Sequence, residues 1–396
     1  MKRQILHIDV NNAFLSWLAV HKLKNGEAVD IRTIPSVIGG DEETRKGIVL
    51  AKSNKAKELG IVTGEPIYHA KRKCPQVKIF KGNFDIYEKY SNMLYNLLLS
   101  YTDKIERYSV DECFLDMTEY LMKDTLENKA QEISKRVKNE LGFTVNIGIS
   151  NNKLLAKMAS DFEKPDKIHT LYPNEIKNKM WELPVSELFM LGRKSVPKLY
   201  TMGIKTIGDL AKTDKALLIK KFGKHGNLMW EYANGIDESK VNYEHEKPKG
   251  VGNSTTLPID VCNIEKLEKV LLELTEQVTY RLRKHNLQAK SVNVQLRTNE
   301  FKDFSHQGRL NPPTSCTKQI YKRAKELLKE MYPEGTYIRL VGVRVDNLEE
   351  KETEQISLFD NNDKEKLSKI DSVVDELKDK YGYDKITFAG RLRKGE

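Results

Sequence analysis

The sequence predicts an α+β chain of several domains, and three observations carry that prediction. The 396 residues suffice for two to four domains with a sizeable core. Short β-branched runs alternate with amphipathic helical runs, in the order helix, hairpin, helix, strand between residues 85 and 149. With the early strand at 4–10, that order makes a split βαβ-type sandwich. Charge is also unevenly spread. Residues 250–345 hold 16 Lys+Arg against 10 Asp+Glu, a balance of +6, whereas residues 346–396 hold 10 against 14, a balance of −4.

Each element follows from its own residues. Residues 4–10 alternate towards a short buried strand that delivers Asp9 at its end, and 12–23 reads as a helix carrying Phe14, Leu15, Trp17, Leu18 and Val20. Asp9 then has two readings, a residue at the cap of that helix or a metal ligand at the mouth of a sheet. Gly39-Gly40-Asp41-Glu42-Glu43 resembles the signature of cyclic-dinucleotide synthases, but Thr44-Arg45-Lys46 follows directly where an apolar strand is needed, so it reads as a surface turn. Residues 47–61 read as a strand running into a helix that stops at Gly60. Ser53, Asn54 and nearby lysines at that helix start suit a phosphate, or make an ordinary cationic face.

The helix at 85–101 leads into the hairpin 105–116, whose turn carries Asp111 and Glu112. Adjacent carboxylates at the end of a buried hairpin are costly without a cation, and hard oxygen donors suit Mg²⁺ or Mn²⁺. The plain alternative is a solvated turn with two surface acids. A helix at 126–141 and a strand at 143–149 follow, then Lys153, Lys157 and Lys164 on one side of a helix that leaves the strand. Residues 183–222 form a helical block. Within it, 199–210 reads as helix, Gly-containing hairpin, helix, which offers backbone N–H groups to a phosphate or simply joins packed helices. Polar residues 241–249 form a linker. Another α/β domain then shows helices at 264–285 and 316–331 and strands at 291–298 and 337–345. The acidic tail ends in a helix at 367–381.

Composition narrows the function. No run of about 18 apolar residues exists and the N-terminus has no secretory pattern, so no membrane span or export is expected. Cys74, Cys113, Cys262 and Cys316 lie far apart without a C-x-x-C, which fits a reducing cytoplasm better than a zinc ribbon. A net charge of +10 and a pI near 9.1 point to a polyanionic partner, nucleic acid first.

At this point the chain resembles the Y-family (translesion) DNA polymerases, on the side of bacterial DNA polymerase IV and its mobile-element relatives. The matching residues are Ile8-Asp9-Val10-Asn11-Asn12-Ala13-Phe14, Tyr108-Ser109-Val110-Asp111-Glu112, the run from Gly148-Ile149-Ser150-Asn151-Asn152-Lys153 to Lys164-Pro165, and Gly203-Ile204-Lys205-Thr206-Ile207-Gly208-Asp209-Leu210. They occur in the family's order over residues 1–346.

The resemblance implies a right-hand polymerase with a ferredoxin-like palm (1–14 and 75–165), small fingers (15–74), a helix-hairpin-helix thumb (166–240), a linker (241–249), an α/β little finger (250–346) and an acidic tail (347–396). It implies two Mg²⁺ ions, replaceable by Mn²⁺, on Asp9, Asp111, Glu112 and the Val10 carbonyl. Ser53, Lys57, Lys164 and the backbone of Asn12, Ala13 and Phe14 would bind the dNTP. Phe14 would be the steric gate against the ribose 2′-OH. Gly203, Ile204, Lys205, Thr206, Arg297 and Arg309 would contact primer-template DNA.

Three departures stand out. Asn54 and Lys57 replace the family's usual Tyr and Arg, Asn11 stands where Asp is frequent, and Met190-Leu191-Gly192 replaces a Gly-x-Gly turn. In the tail, Gln355-Ile356-Ser357-Leu358-Phe359 resembles the bacterial sliding-clamp peptide, with Leu358 and Phe359 as anchors. No further carboxylate-rich block resembles a proofreading exonuclease. The expected protein is a monomeric, error-prone DNA polymerase in the bacterial cytoplasm, associated with the nucleoid when on DNA. Two alternatives remain: a non-catalytic DNA-binding repair scaffold, and a nucleotide cyclase palm, which has no use for the basic domain or the clamp motif.

Overall fold

The computed structural model describes residues 2–40, 47–121, 124–244, 248–350 and 362–386. The clamp-like peptide 355–359 and the acids at 41–43 lie outside the described residues. Two compact units divide the chain near residue 245.

The described strands of the first unit are β1 (Ile5–Val10), β2 (Ser36–Gly39), β3 (Val49–Lys52), β4 (Lys78–Lys81), β5 (Ile105–Arg107), β6 (Glu112–Asp116), β7 (Val145–Ser150) and β8 (Ile168–Thr170). The main sheet runs β5-β6-β1-β7-β8. Its first four members, taken in chain order β1, β5, β6, β7, have the antiparallel arrangement of a split βαβ sandwich. Every residue of β1 and β7 is buried, the polar His7, Asp9, Asn146 and Ser150 included. Helices Ala13–Lys24, Phe84–Leu98 and Leu126–Arg136 bring Trp17, Tyr87, Tyr90, Leu94 and Ile133 into one core with the sheet. Each such side chain contributes roughly 1.5–3 kcal/mol. Asn83 caps the second of these helices by accepting from the Asp85 and Ile86 N–H groups.

Helix Lys153–Ser160 packs against β7 and β1. Gly148 permits this approach: a Cβ there would stand 1.9 Å from the Ala156 carbonyl oxygen. The helix stops at Ser160, so Lys164 sits on the segment after it rather than on the helix itself, as the lysine spacing had suggested.

The small sheet β3-β2-β4 has β2 antiparallel to β3 and parallel to β4. It therefore uses residues on both sides of the boundary expected at 74/75. Short helices from Ile176 to Ala233 enclose their own core around Leu155, Met180, Leu199, Leu210 and Met229.

The second unit contains β9 (Gly250–Val261), β10 (Leu287–Thr298), β11 (Asp303–Thr314) and β12 (Ile338–Glu350) in the antiparallel order β11-β10-β12-β9. Helices Ile264–Lys284 and Thr317–Met331 share a core with one face of this sheet. The strands β9 and β11 were not anticipated. β11 is polar, holds Pro312 and Pro313, and buries only Gly308, Leu310 and Thr314. It is an edge strand, where a missing N–H is tolerated. β12 runs to Glu350, beyond the boundary expected at 346.

Helix Asn362–Tyr381 attaches by charge. Arg283 clasps Asp375 at 2.6 and 2.8 Å, and Lys378 reaches the buried Glu276 at 3.4 Å. Its Ile370, Val373 and Tyr381 are exposed.

Candidate active site

The pairing of β1 with β6 and β7 decides where the acids go. Asp9 sits opposite Glu112 on one side and Asn146 on the other, and the Val10 N–H bonds the Asp111 carbonyl at 3.1 Å. Two acids 102 and 103 positions after the first (111 − 9 and 112 − 9) are thus brought to one sheet edge. Asn12 leaves the strand at φ 50°, and the helix with Phe14 starts immediately. A cavity of about 320 Å³ opens there, lined by Asp9, Val10, Asn12, Ala13, Phe14, Lys52, Asn54, Lys57, Thr63, Asp111 and Lys164.

Charge around the acids is dense. Lys164 Nζ lies 2.5 Å from Asp9 Oδ2 and 2.8 Å from Asp161 Oδ1. Lys157 Nζ lies 2.9 Å from Glu112 Oε1, 3.4 Å from Asp161 Oδ2 and 3.7 Å from Asp9 Oδ2. Burial would drive protons off both ammonium groups, but the facing carboxylates outweigh it and raise both lysines above their ordinary value. Burial likewise opposes the Glu112 charge, yet the His7 ring at 3.4 Å and the Lys157 ammonium at 2.9 Å bring its carboxyl down to about 2.

Asp111 behaves oppositely. Burial raises its carboxyl, the neighbouring Asp9 and Glu112 charges add to this, and a 2.6 Å bond from the Ser109 hydroxyl only partly offsets them. Asp111 is the acid short of positive charge.

That imbalance, with three carboxylates and the Val10 carbonyl at adjacent strand positions, fits a hard divalent cation by donor chemistry. Among the described residues, no three His, Cys, Asp or Glu side chains stand gathered for a metal, because Glu112 and Asp9 face lysines.

Buried amides hold the cationic segment in place. Asn146 Nδ2 donates to the carbonyls of Ser160 and Glu163 at 3.0 and 2.6 Å. Its Oδ1 accepts from Asn11 Nδ2 at 3.0 Å, while Asn11 Oδ1 accepts from the Asp166 N–H at 2.9 Å. This pair ties the end of β1 to the stretch carrying Lys164. Sequence reasoning missed Asn146, Lys157 and His7 as parts of the site. Lys157 appeared only in a charge stripe, and the alternation of β1 gave no sign that His7 is buried.

On the nucleotide side, Phe14 lines the cavity and stacks on Tyr87 with centroids 4.6 Å apart, so it is also a core aromatic. Lys57 lines the opposite wall beside Lys52, whose ammonium is lowered by burial and by the Lys57 charge. Asn54 meets Asn12 at 3.3 Å.

Two expectations need correction. Ser53 is buried, and its hydroxyl donates to the Ile34 carbonyl at 2.7 Å while accepting from the Ser36 and Ala56 N–H groups. It is a helix cap with no donor left for a phosphate. The backbone N–H groups of residues 203–206 are also spent. Gly203 and Ile204 donate to Tyr200 and Leu199 carbonyls, and Lys205 and Thr206 both donate to Asp209 Oδ2, at 3.0 and 2.9 Å. That turn closes on itself, and the Ile204 side chain is core.

In the second unit, Arg297 is held in a two-pronged pair with Asp303 at 2.7 and 3.0 Å, while Arg309 is exposed on edge strand β11. A polar hollow of about 320 Å³ lies on this sheet, lined by Asn253, Ser254, Asn293, Gln295 and Arg344.

Comparison with known proteins now adds sequence evidence to this geometry. Residues 8–161 match the impB/mucB/samB family and residues 248–358 match its C-terminal domain. The chain is 49% identical over 396 residues to a DNA polymerase IV of Clostridium acetobutylicum, covering 100% of both. The chain belongs to the Y-family of DNA polymerases. A DNA polymerase IV of Acetivibrio thermocellus is 39% identical over 388 residues, covering 97% of this chain and 96% of that one. A solved Y-family DNA polymerase chimera shares the fold with TM-score 0.78 at 24% identity, over 88% of this chain and 100% of its own. The right-hand α+β architecture expected from sequence is therefore the one this Y-family chain has.

Proposed function

We infer that the chain is a DNA-directed DNA polymerase of the translesion class, extending a primer 3′-hydroxyl with dNTPs. The observation that carries this is the meeting of Asp9, Asp111 and Glu112 at one sheet edge, beside a cavity walled by lysines. Polymerases of this family are generally dependent on divalent metal. Two Mg²⁺ or Mn²⁺ ions, when bound, supply activation of the hydroxyl and charge neutralisation at the leaving pyrophosphate. Asp9, Asp111, Glu112 and the Val10 carbonyl are the groups to hold them. Lys164 and Lys57 bind the triphosphate from opposite walls, with help from the backbone at Asn12, Ala13 and Phe14. Phe14, fixed by Tyr87, blocks the ribose 2′-position.

Primer-template DNA is held by phosphate contacts, hence without sequence preference and with strong salt sensitivity. The exposed Gly192, Arg193 and Lys194 take the thumb role first given to 203–206. Arg309, Arg297 and the polar sheet around Arg344 serve the second unit. Gln355-Ile356-Ser357-Leu358-Phe359 binds a sliding clamp. The protein works as a monomer in the cytoplasm. No helix among the described residues is long and apolar enough to cross a membrane.

The deciding experiment is primer extension with Mg²⁺ and Mn²⁺ by wild type and Asp111→Ala, on intact and abasic templates. Extension by wild type past the abasic site, lost in the variant, is expected. Absence of incorporation by wild type with either metal favours the scaffold reading. Leu358→Ala with Phe359→Ala should abolish clamp stimulation and leave clamp-free synthesis intact; equal losses refute the clamp assignment.

A further inference from the structure

Behind Glu112 lies a buried polar chain with no part in the chemistry so far. His7, on β1 two residues before Asp9, is fully buried. Its Nδ1 lies 2.7 Å from Ser160 Oγ; its Nε2 makes no hydrogen bond among the described residues, and the polar atom it faces is Glu112 Oε2 at 3.4 Å. The ring sits against Phe114, with centroids 4.6 Å apart.

Proton counting fixes the direction of this chain. Ser160 Oγ has one proton and two acceptors within reach, His7 Nδ1 at 2.7 Å and the Lys157 carbonyl at 2.8 Å. If the hydroxyl donates to the carbonyl, Nδ1 must carry the ring proton, and a bare Nε2 lone pair then faces a buried carboxylate. That arrangement is repulsive. If the hydroxyl donates to Nδ1, Nε2 carries the proton and gives it to Glu112 Oε2. Of the two neutral tautomers, only the second turns an N–H rather than a lone pair towards Glu112.

We propose that His7 is a positioning residue for Glu112. Lys157 hydrogen-bonds Oε1 at 2.9 Å, and the Nε2–H faces Oε2 at 3.4 Å, close enough to tighten onto it when the carboxylate is loaded and so to give it a single orientation. Ser160 in turn fixes the ring and its tautomer. Partners of this kind change metal affinity or activity by roughly 10- to 100-fold when removed. The inference rests on Glu112 being one of the catalytic carboxylates.

The test uses the full chain with His7→Phe, which keeps the ring and its contact with Phe114 but has no donor, and His7→Gln, whose amide N–H reaches towards the same oxygen. Nitrogen-15 NMR of the imidazoles, assigned by the signal lost in His7→Gln, should show His7 protonated at Nε2. In His7→Phe, kcat should fall about 10-fold or more, with the dNTP KM changed less than about twofold, and Mn²⁺ binding read by electron paramagnetic resonance should weaken about 10-fold. His7→Gln should recover at least half of the logarithmic loss. Ser160→Ala, which removes the contact that fixes the ring, should show a smaller loss of the same kind. An Nδ1–H tautomer in wild type overturns the proposal. So does wild-type kcat and Mn²⁺ binding in His7→Phe, or equal impairment of Phe and Gln variants. Glu112→Gln separates the two readings: if it retains full activity, the role given to Glu112 fails; if it is inactive while His7→Phe is normal, only the His7 role fails.

Discussion

Replacing Lys157 with Met tests whether the site is held together by charge before any metal arrives. Lys157 Nζ faces Glu112 at 2.9 Å, Asp161 at 3.4 Å and Asp9 at 3.7 Å. At an effective dielectric near 20, the first contact alone has a gross attraction of roughly 6 kcal/mol. Desolvation of the ammonium offsets several kcal/mol of the total. Breaking a fully buried pair costs about 3–5 kcal/mol. The Glu112 side chain is 20% exposed and that of Asp161 43%, so water recovers part of the loss and roughly 2–3 kcal/mol is expected here. For a unit of this size, that lowers Tm by roughly 5–10 °C.

The assay is calorimetric melting in chelator and again with Mg²⁺. Methionine keeps the packing volume and leaves the carboxylates in excess. Divalent cation at about 100 times its Kd then restores roughly 2.7 kcal/mol, and the variant should gain more from Mg²⁺ than wild type does. A drop below about 2 °C in chelator refutes the electrostatic reasoning, as does a full drop that Mg²⁺ leaves unchanged.

Three further outcomes follow from the same contacts. Gly148→Ala places a Cβ 1.9 Å from the Ala156 carbonyl oxygen, so melting should show a loss of about 2 kcal/mol or more, and primer extension should fall because Lys157 rides on that helix; an unchanged Tm refutes it. Ser53→Ala should cost about 1 kcal/mol as a lost cap while the dNTP KM stays within twofold, whereas a raised KM with unchanged Tm would restore the phosphate role. Stability should also fall with acid in two steps. Burial depresses the His7 pKa in the fold, so its contribution is complete above 6.5 and declines as pH drops below it. That of Glu112, whose pKa is about 2 in the fold, is complete above 4.5 and declines towards 2; urea titrations of wild type and His7→Phe, identical between pH 6.5 and 5, would exclude the first step.

Much of this architecture is legible in the chain, and the exceptions have physical causes. β1 and β7 announce themselves by the Ile, Leu and Val residues that recur along each short segment. The hairpin at Asp111 shows because turn residues break β-branched flanks. β11 stays hidden because a solvated edge strand needs no apolar alternation and tolerates Pro312 and Pro313. At the site, acids and lysines are visible as charges, but which charge meets which depends on register. His7 reads as one polar interruption in a strand until β1 is placed against Glu112 and Ser160. Ser53 erred in the other direction. A hydroxyl at a helix start satisfies the pattern for anion binding and for capping alike, and only its three short contacts separate them.

The family departures make sense as a redistribution of charge. A Tyr and an Arg would give the fingers wall one phenol and one forked cation. Here Asn54 bonds Asn12, at the αL junction between Asp9 and Phe14, and so ties that wall to the catalytic edge through an amide pair. Lys57 lacks the planar fork, but Lys52 stands near it in the same cavity lining, its ammonium lowered first by burial and then by the Lys57 charge. Lys164, which also lines the cavity, and the buried Lys157, which does not, are engaged by carboxylates that cations would otherwise take. A triphosphate entering this cavity relieves the Lys52–Lys57 repulsion, and divalent ions on the acids would free Lys164 for it. Metal and nucleotide should therefore bind with positive coupling, and a Lys164→Ala variant should lose part of that coupling: the ratio of dNTP Kd without and with Mg²⁺, measured on a dideoxy-terminated primer-template, should shrink severalfold, and an unchanged ratio would refute the account.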